Sequence, residues 1–335
     1  MNIKRILLSA LVILGFTSFS GIANAACGKI SIANMNWASA NFMAEVDKII
    51  LEKGYGCDVE LVPGATMPTF TSMQEKGEPD IAPEFWANAA IVELEAAVAE
   101  GKLHSINKAP ITGLGEGWWV TSSVVKNHPE LKTVLDIIKR PDLFPHPEDK
   151  TKGAMMTCPA GWNCQLSTNN LFRAFKMEEK GWKLIDPGSA AGLDGAIAKA
   201  STRGENWFGY YWTPTATVGK YGLVKIPFGV KFDADTWHNC IVKPEKDCAN
   251  PRPSSWVKSA VQTVITSKFK SKSSVASNYI SQRVYPGEIM NKMLVFMVEQ
   301  KATGKDAAYE FLEKHENIWT KWVSSEAAKK IKSSL

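Results

Sequence analysis

Three segments of the chain set an indole ring where regular structure should break: Ala82-Pro83-Glu84-Phe85-Trp86-Ala87-Asn88, Cys158-Pro159-Ala160-Gly161-Trp162-Asn163-Cys164, and Trp207-Phe208-Gly209-Tyr210-Tyr211-Trp212-Thr213-Pro214. A ring on a loop is available to a ligand in a way that a ring on a packed helix face is not. Indole faces are electronegative and attract ammonium groups too apolar to be well hydrated. Trp86, Trp162 and Trp212 together therefore predict a cage for an alkylated cation, and a fourth ring, Trp37, follows the first strand-like run in Asn34-Met35-Asn36-Trp37-Ala38-Ser39.

The middle segment also predicts an anion site. A bridge between Cys158 and Cys164 would fix the ring of Trp162 before binding and so lower the cost of ordering it. A helix-like stretch starts at Cys164, so the amides of Asn163 and Cys164 would project from a helix N-terminus, a ready anion site. A cation cage beside such amides describes a receptor for a zwitterion. Glu116, in Gly115-Glu116-Gly117, bears on which one. Ionised inside the cage it would repel a ligand carboxylate, but it could share a proton with an N-oxide oxygen or lie against the cationic head. On an exposed hinge it would do neither, and Glu84 is the alternative acid for the same role.

Catalytic and cofactor motifs do not accompany these rings. Gly113-Leu114-Gly115-Glu116-Gly117 lacks the GxGxxG spacing and leads into Trp118-Trp119-Val120 instead of a helix. Walker A, GxSxG and HExxH patterns are absent, and His104, His128, His146, His238 and His315 are scattered without metal spacing. No enzyme activity, cofactor or metal is expected; an exported enzyme acting on methylated amines is the remote alternative. The formal net charge of +5 includes Lys4 and Arg5 of an export signal, and the small remainder gives no case for nucleic acid.

Those two cations precede an apolar run from Ile6 to Phe16 and then Ala23-Asn24-Ala25, the order of a secretory signal cleaved after Ala25. Residues 1–25 are thus read as an address, and the remainder as exported, soluble and monomeric. Export makes disulfides the default for Cys27, Cys57, Cys158, Cys164, Cys240 and Cys248. Many pairings are open, and local spacing favours the sequential set Cys27–Cys57, Cys158–Cys164 and Cys240–Cys248. Cys27 and Cys57 each precede a strand-like run with a helix-like stretch between, and the starts of neighbouring parallel strands lie side by side.

Strand and helix patterns alternate through residue 211, which predicts parallel-rich α/β sheets covered by helices, with ligands at the carboxyl ends of strands. All three tryptophan segments fall near such ends. A length of 335 residues favours two lobes, here 26–115 with 228–335 and 116–227, joined by crossings near Gly113–Ser122 and Leu223–Phe232. Beyond Trp256 the chain reads as helical, including 258–267, 286–299 and one long helix over 305–332 whose Trp319 and Trp322 form a core-facing stripe.

The Cys158–Cys164 segment together with Tyr210-Tyr211-Trp212-Thr213-Pro214 closely resembles the signature of the glycine betaine-binding proteins of ABC importers, over nearly the whole chain after residue 25. The resemblance implies a two-lobe periplasmic binding protein fold of type II, with the ligand in the cleft between lobes and a membrane permease as partner. It also implies cage roles for Trp162 and Trp212, with Trp86 as third ring, and carboxylate contacts from the amides of Asn163 and Cys164. A histidine used by some members is replaced by Ala90, and Ala38 and Ser39 stand where choline-binding relatives carry an acid. The Asn-Trp-Ala-Ser segment, Cys27, Cys57 and Glu116 look more like the branch that includes trimethylamine N-oxide receptors. Glycine betaine and trimethylamine N-oxide are the implied ligands, with choline, carnitine and dimethylsulfoniopropionate as alternatives.

Overall fold

Lys29–Met35 (β1) and Asp58–Gly64 (β2) pair in parallel, in register from Lys29 opposite Asp58 to Met35 opposite Gly64, and the helix Ala38–Ile49 crosses between them. This is the computed structural model of the chain, and it describes residues 27–88 and 90–335; the export signal read at 1–25 lies outside them. The parallel register sets the two strand starts side by side, and Cys27 is bridged to Cys57 there. Ile81–Trp86 (β3) pairs in parallel with β1 and is buried along its whole length, as a strand covered on both faces must be. Leu103–Asn107 (β4), which the sequence reading missed, lies at the far edge of this first sheet.

The second sheet is built from Gly115–Val120 (β5), Gly153–Met156 (β6), Trp182–Ile185 (β7), Phe208–Thr213 (β8) and Val224–Lys225 (β9), in the order β7-β6-β8-β5-β9. β6 is parallel to β7 and β8, whereas β5 runs antiparallel to β8 and β9. Beyond β9 the chain passes through short helical turns held by the Cys240–Cys248 bridge. The amide of Asn170, on the helix Cys164–Ala174, donates to the carbonyls of Cys240, Ile241 and Lys243 and ties those turns down.

The chain then returns to the first sheet as Val261–Thr266 (β10), antiparallel between β3 and β4, giving the order β2-β1-β3-β10-β4. This corrects the helix expected over 258–267. Val257, Ala260, Val261, Val264 and Ile265 recur at helical spacing, but a β-branched run with partners available on both sides forms a strand instead. Both sheets are consequently mixed, because β5 and β10 run against their neighbours.

The expected C-terminal helix is three helices, Gly304–Lys314, Glu316–Trp319 and Ser325–Lys332. Thr303 and Asp306 start the first with a capping box, and Ser324 caps the last, so local side chains divide what periodicity alone runs together. Trp319 and Trp322 are buried, and Trp322 packs on Tyr285 and Phe311. Among the described residues no helix is long and apolar enough to cross a membrane.

Candidate functional site

The carboxyl ends of the parallel strands of both sheets converge on one small cavity, lined by Trp37, Thr66, Trp86, Glu116, Trp162, Asn163, Cys164, Tyr210 and Trp212. Trp37 follows β1 as the N-cap of the helix Ala38–Ile49, and Trp86 is the last residue of β3. Trp162 sits in the loop after β6, closed by the Cys158–Cys164 bridge, and Trp212 lies near the end of β8. Glu116, on the antiparallel β5, stands directly opposite Trp212 and so shares its face.

The rings meet at steep angles. Trp162 lies edge-on to Trp37, with centroids 5.3 Å apart and planes at 72°, and to Trp212, at 5.1 Å and 80°. Tyr210, two residues before Trp212 and thus on the same strand face, lies nearly parallel to it at 6.2 Å. Walls set perpendicular to one another present ring faces from several directions to a compact occupant, which is what a tetrahedral alkylammonium head requires.

Hydrogen bonds fix the walls from behind. Glu84 Oε1 accepts from the indole N–H of Trp37 at 2.8 Å, from that of Trp86 at 2.8 Å and from the hydroxyl of Ser39 at 2.9 Å. The indole N–H of Trp162 donates to Asn36 Oδ1 at 2.7 Å, the Asn163 side-chain amide to the carbonyl of Trp86, and the backbone N–H of Met67 to the carbonyl of Gly161. The bridged loop of the second sheet is thus held against the first at three points.

Two carboxylates are buried here. Glu84 is pushed up to about 7, chiefly by burial, against the opposing pull of its donors and of Arg283. Glu116 is also raised by burial, opposed by the hydroxyl of Tyr210, which donates to Oε1 at 2.9 Å, and by the side-chain amide of Asn88, which donates to Oε2. At the mouth of the helix Cys164–Ala174 the N–H of Trp162 goes to Pro159 and that of Gln165 to Trp162. Those of Asn163 and Cys164 have no acceptor among the described residues, which leaves two donors beside the cavity that an oxyanion could use.

All seven positions singled out from the sequence, Trp37, Trp86, Trp162, Trp212, Glu116, Asn163 and Cys164, line this one cavity, and the three sequential disulfides are all formed. Glu116 is 1% exposed, not a surface hinge residue. Tyr210 and Thr66 were not anticipated in the lining, nor Asn36 and Asn88 as the groups that hold Trp162 and Glu116. Tyr210 was reachable from strand alternation with Trp212, whereas Thr66 and both asparagines lie at separations that carry no local pattern.

The sequence pattern of the family described as the substrate binding domain of ABC-type glycine betaine transport systems matches residues 28–314. Comparison with curated proteins returns no match. Among solved structures, an ABC-transporter choline binding protein in complex with choline superposes with a TM-score of 0.72 at 13% identity, over 92% of this chain and 98% of that one. The glycine betaine, L-proline-binding protein (ProX) of Borrelia burgdorferi gives 0.70 at 16% identity, over 90% and 99%. Lactococcal OpuAC in its closed-liganded conformation with glycine betaine gives 0.65 at 14%, over 89% and 100%. At these identities the likeness is one of fold.

Proposed function

The chain belongs to the family of substrate-binding domains of ABC-type glycine betaine transport systems, and from that premise we propose that it captures a trimethylammonium osmolyte, glycine betaine or trimethylamine N-oxide, in its tryptophan cage. Its two mixed sheets flanked by helices make the two-lobe, type II periplasmic binding protein fold. In this reading the lobes comprise 26–115 with 228–335 and 116–227, the chain is exported to the periplasm as a monomer, and the closed form is what a membrane permease recognises.

One observation carries the proposal: four indoles from both sheets, Trp37, Trp86, Trp162 and Trp212, enclose a cavity that also exposes the amides of Asn163 and Cys164. A desolvated cation–π contact contributes about 2 kcal/mol, so four walls supply roughly 8 kcal/mol before ordering costs. Micromolar binding needs about 8 kcal/mol net, so the rings alone fall short once those costs are counted, and the amides and closure supply the remainder. The cavity is small and closely lined by rings, which favours the smaller osmolytes over carnitine. No acid occupies positions 38 or 39, which disfavours choline.

Glu116 separates the two ligands. With a shared proton it serves the oxygen of an N-oxide; ionised, it opposes a betaine carboxylate. Calorimetric titration with glycine betaine and trimethylamine N-oxide tests both statements. Trp162→Ala and Trp212→Ala are expected to weaken binding at least about tenfold, roughly 1.4 kcal/mol. Glu116→Gln is expected to cost N-oxide binding more than betaine binding. Unchanged affinity in both tryptophan variants would remove the cage assignment.

A further inference from the structure

We propose that Glu84, which lies behind the cage and outside its lining, is a positioning and specificity-determining residue: its one carboxylate holds two walls in place and makes the cage select a cationic head over a neutral one of the same shape. This rests on the reading of the cavity as a trimethylammonium site.

The geometry is unusual for a structural carboxylate. Glu84 and Trp86 share a face of β3, two residues apart, so the side chain of Glu84 sits beneath the ring of Trp86. Trp37 arrives from the end of β1, and both indoles aim their N–H at the same oxygen, Oε1, with Ser39 as third donor. A shared acceptor couples the two ring orientations, since neither indole can rotate without giving up its bond. The other oxygen, Oε2, is buried without a partner among the described residues. A carboxylate placed for structural reasons alone would be expected to satisfy both oxygens, because a buried unpaired acceptor costs free energy.

Charge supplies the second half of the role. Above about pH 7, where Glu84 is ionised, an indole N–H bonded to this anionic acceptor passes electron density into its ring, and hydrogen-bonded groups polarise one another in this way inside proteins. Two of the four walls would thereby present more negative faces to the cavity. The opposing charge that acts on Glu84 is Arg283, fully buried and engaged 2.8 Å from Asp47, with its Nη2 on the carbonyl of Pro83, the residue before Glu84. Arg283 is itself paired with Asp47, so Glu84 is the charged group bonded directly to the rings of Trp37 and Trp86.

Two variants separate position from charge. Glu84→Gln keeps an oxygen acceptor for the indoles and removes the charge, whereas Glu84→Leu removes both. Affinity is measured by calorimetry, at a pH well above the value of about 7 to which Glu84 is raised, for glycine betaine and for tert-butylacetate, in which carbon replaces the quaternary nitrogen, and near-ultraviolet circular dichroism of the free proteins reports indole orientation. Glu84→Gln is expected to keep the wild-type dichroism, to bind glycine betaine roughly tenfold more weakly, and to lose much of its preference over tert-butylacetate. Glu84→Leu is expected to change the dichroism and lose more affinity. An unchanged preference in Glu84→Gln overturns the charge role, and wild-type dichroism and affinity in Glu84→Leu overturn the positioning role. Failure of the wild-type protein to bind any trimethylammonium solute would instead remove the functional reading on which both rest.

Discussion

Two buried carboxylates flank the cavity, and their partners give them different work. Glu116 lines the cavity and receives donors on both oxygens, from Tyr210 and Asn88, while Glu84 stands behind two indoles with one oxygen bare. Glu84 has its pKa raised from 4.5 to about 7 by burial. Between those values the native protein keeps a proton that the unfolded chain releases, so stability falls as pH rises through that window and levels off above it. Glu116 and Asp47 are raised as well and add to the trend, so the diagnostic quantity is the difference between proteins. Thermal unfolding of the ligand-free wild type from pH 5 to about 8 is expected to show a declining midpoint, and Glu84→Gln a shallower decline over the same range. Parallel slopes would mean that Glu84 does not titrate there. The four rings were legible because tryptophan beside Pro, Gly or Cys marks a loop. The work of Glu84 was not, because it depends on Trp37 lying 47 positions away in the chain.

At the scale of elements, two disulfides close loops of very different size for different ends. Cys27–Cys57 joins the starts of β1 and β2 across 30 positions, whereas Cys158–Cys164 spans 6 and carries Trp162, which lines the cavity. The chain-entropy account gives about 4 kcal/mol for the longer loop and about 2 kcal/mol for the shorter. Replacing Cys27 and Cys57 by Ser is therefore expected to lower the melting temperature more while leaving ligand affinity nearly unchanged. The same change at Cys158 and Cys164 is expected to lower it less but to weaken binding several-fold, since Trp162 and the amides of Asn163 and Cys164 lose their fixed frame. Differential scanning calorimetry and ligand titration on the two double variants check the reversal; equal rank order in both measurements would deny the short loop a binding role. The βαβ unit that pairs Cys27 with Cys57 could be read from the chain, because its strands and helix follow one another locally. β10 could not, since the spacing of Val257, Ala260, Val261, Val264 and Ile265 suits a helix equally well and only β3 and β4, distant in sequence, decide for a strand.

For the molecule as a whole, polar contacts join the two sheets around the cavity beside the edge-on packing of Trp37 on Trp162. Trp162 reaches Asn36, Asn163 reaches the carbonyl of Trp86, and Asn88 joins Glu116, pairs separated by 126, 77 and 28 positions. Length and alternation pointed to two lobes, but no local pattern reveals which groups meet across a cleft. Asn88 is the most connected of them. Its side-chain oxygen accepts from the N–H of Ala260 at 2.8 Å and its carbonyl from the indole of Trp237 at 3.2 Å, so it joins the end of β3, the second sheet and the returning chain. Removing that clasp should depress the closed population without touching the rings. Apparent affinity falls in proportion to the fraction of competent protein, so a tenfold drop in closed population gives about tenfold weaker binding. Asn88→Ala is expected to show that weakening in titrations, while small-angle scattering at saturating ligand returns the same radius of gyration as the liganded wild type. Trp162→Ala, which damages the cage itself, should differ by failing to recover wild-type compaction at the same ligand concentration. Wild-type affinity in Asn88→Ala would mean that closure does not run through this residue. A liganded radius larger than wild type would mean that Asn88 shapes the closed form instead of setting how often it is reached.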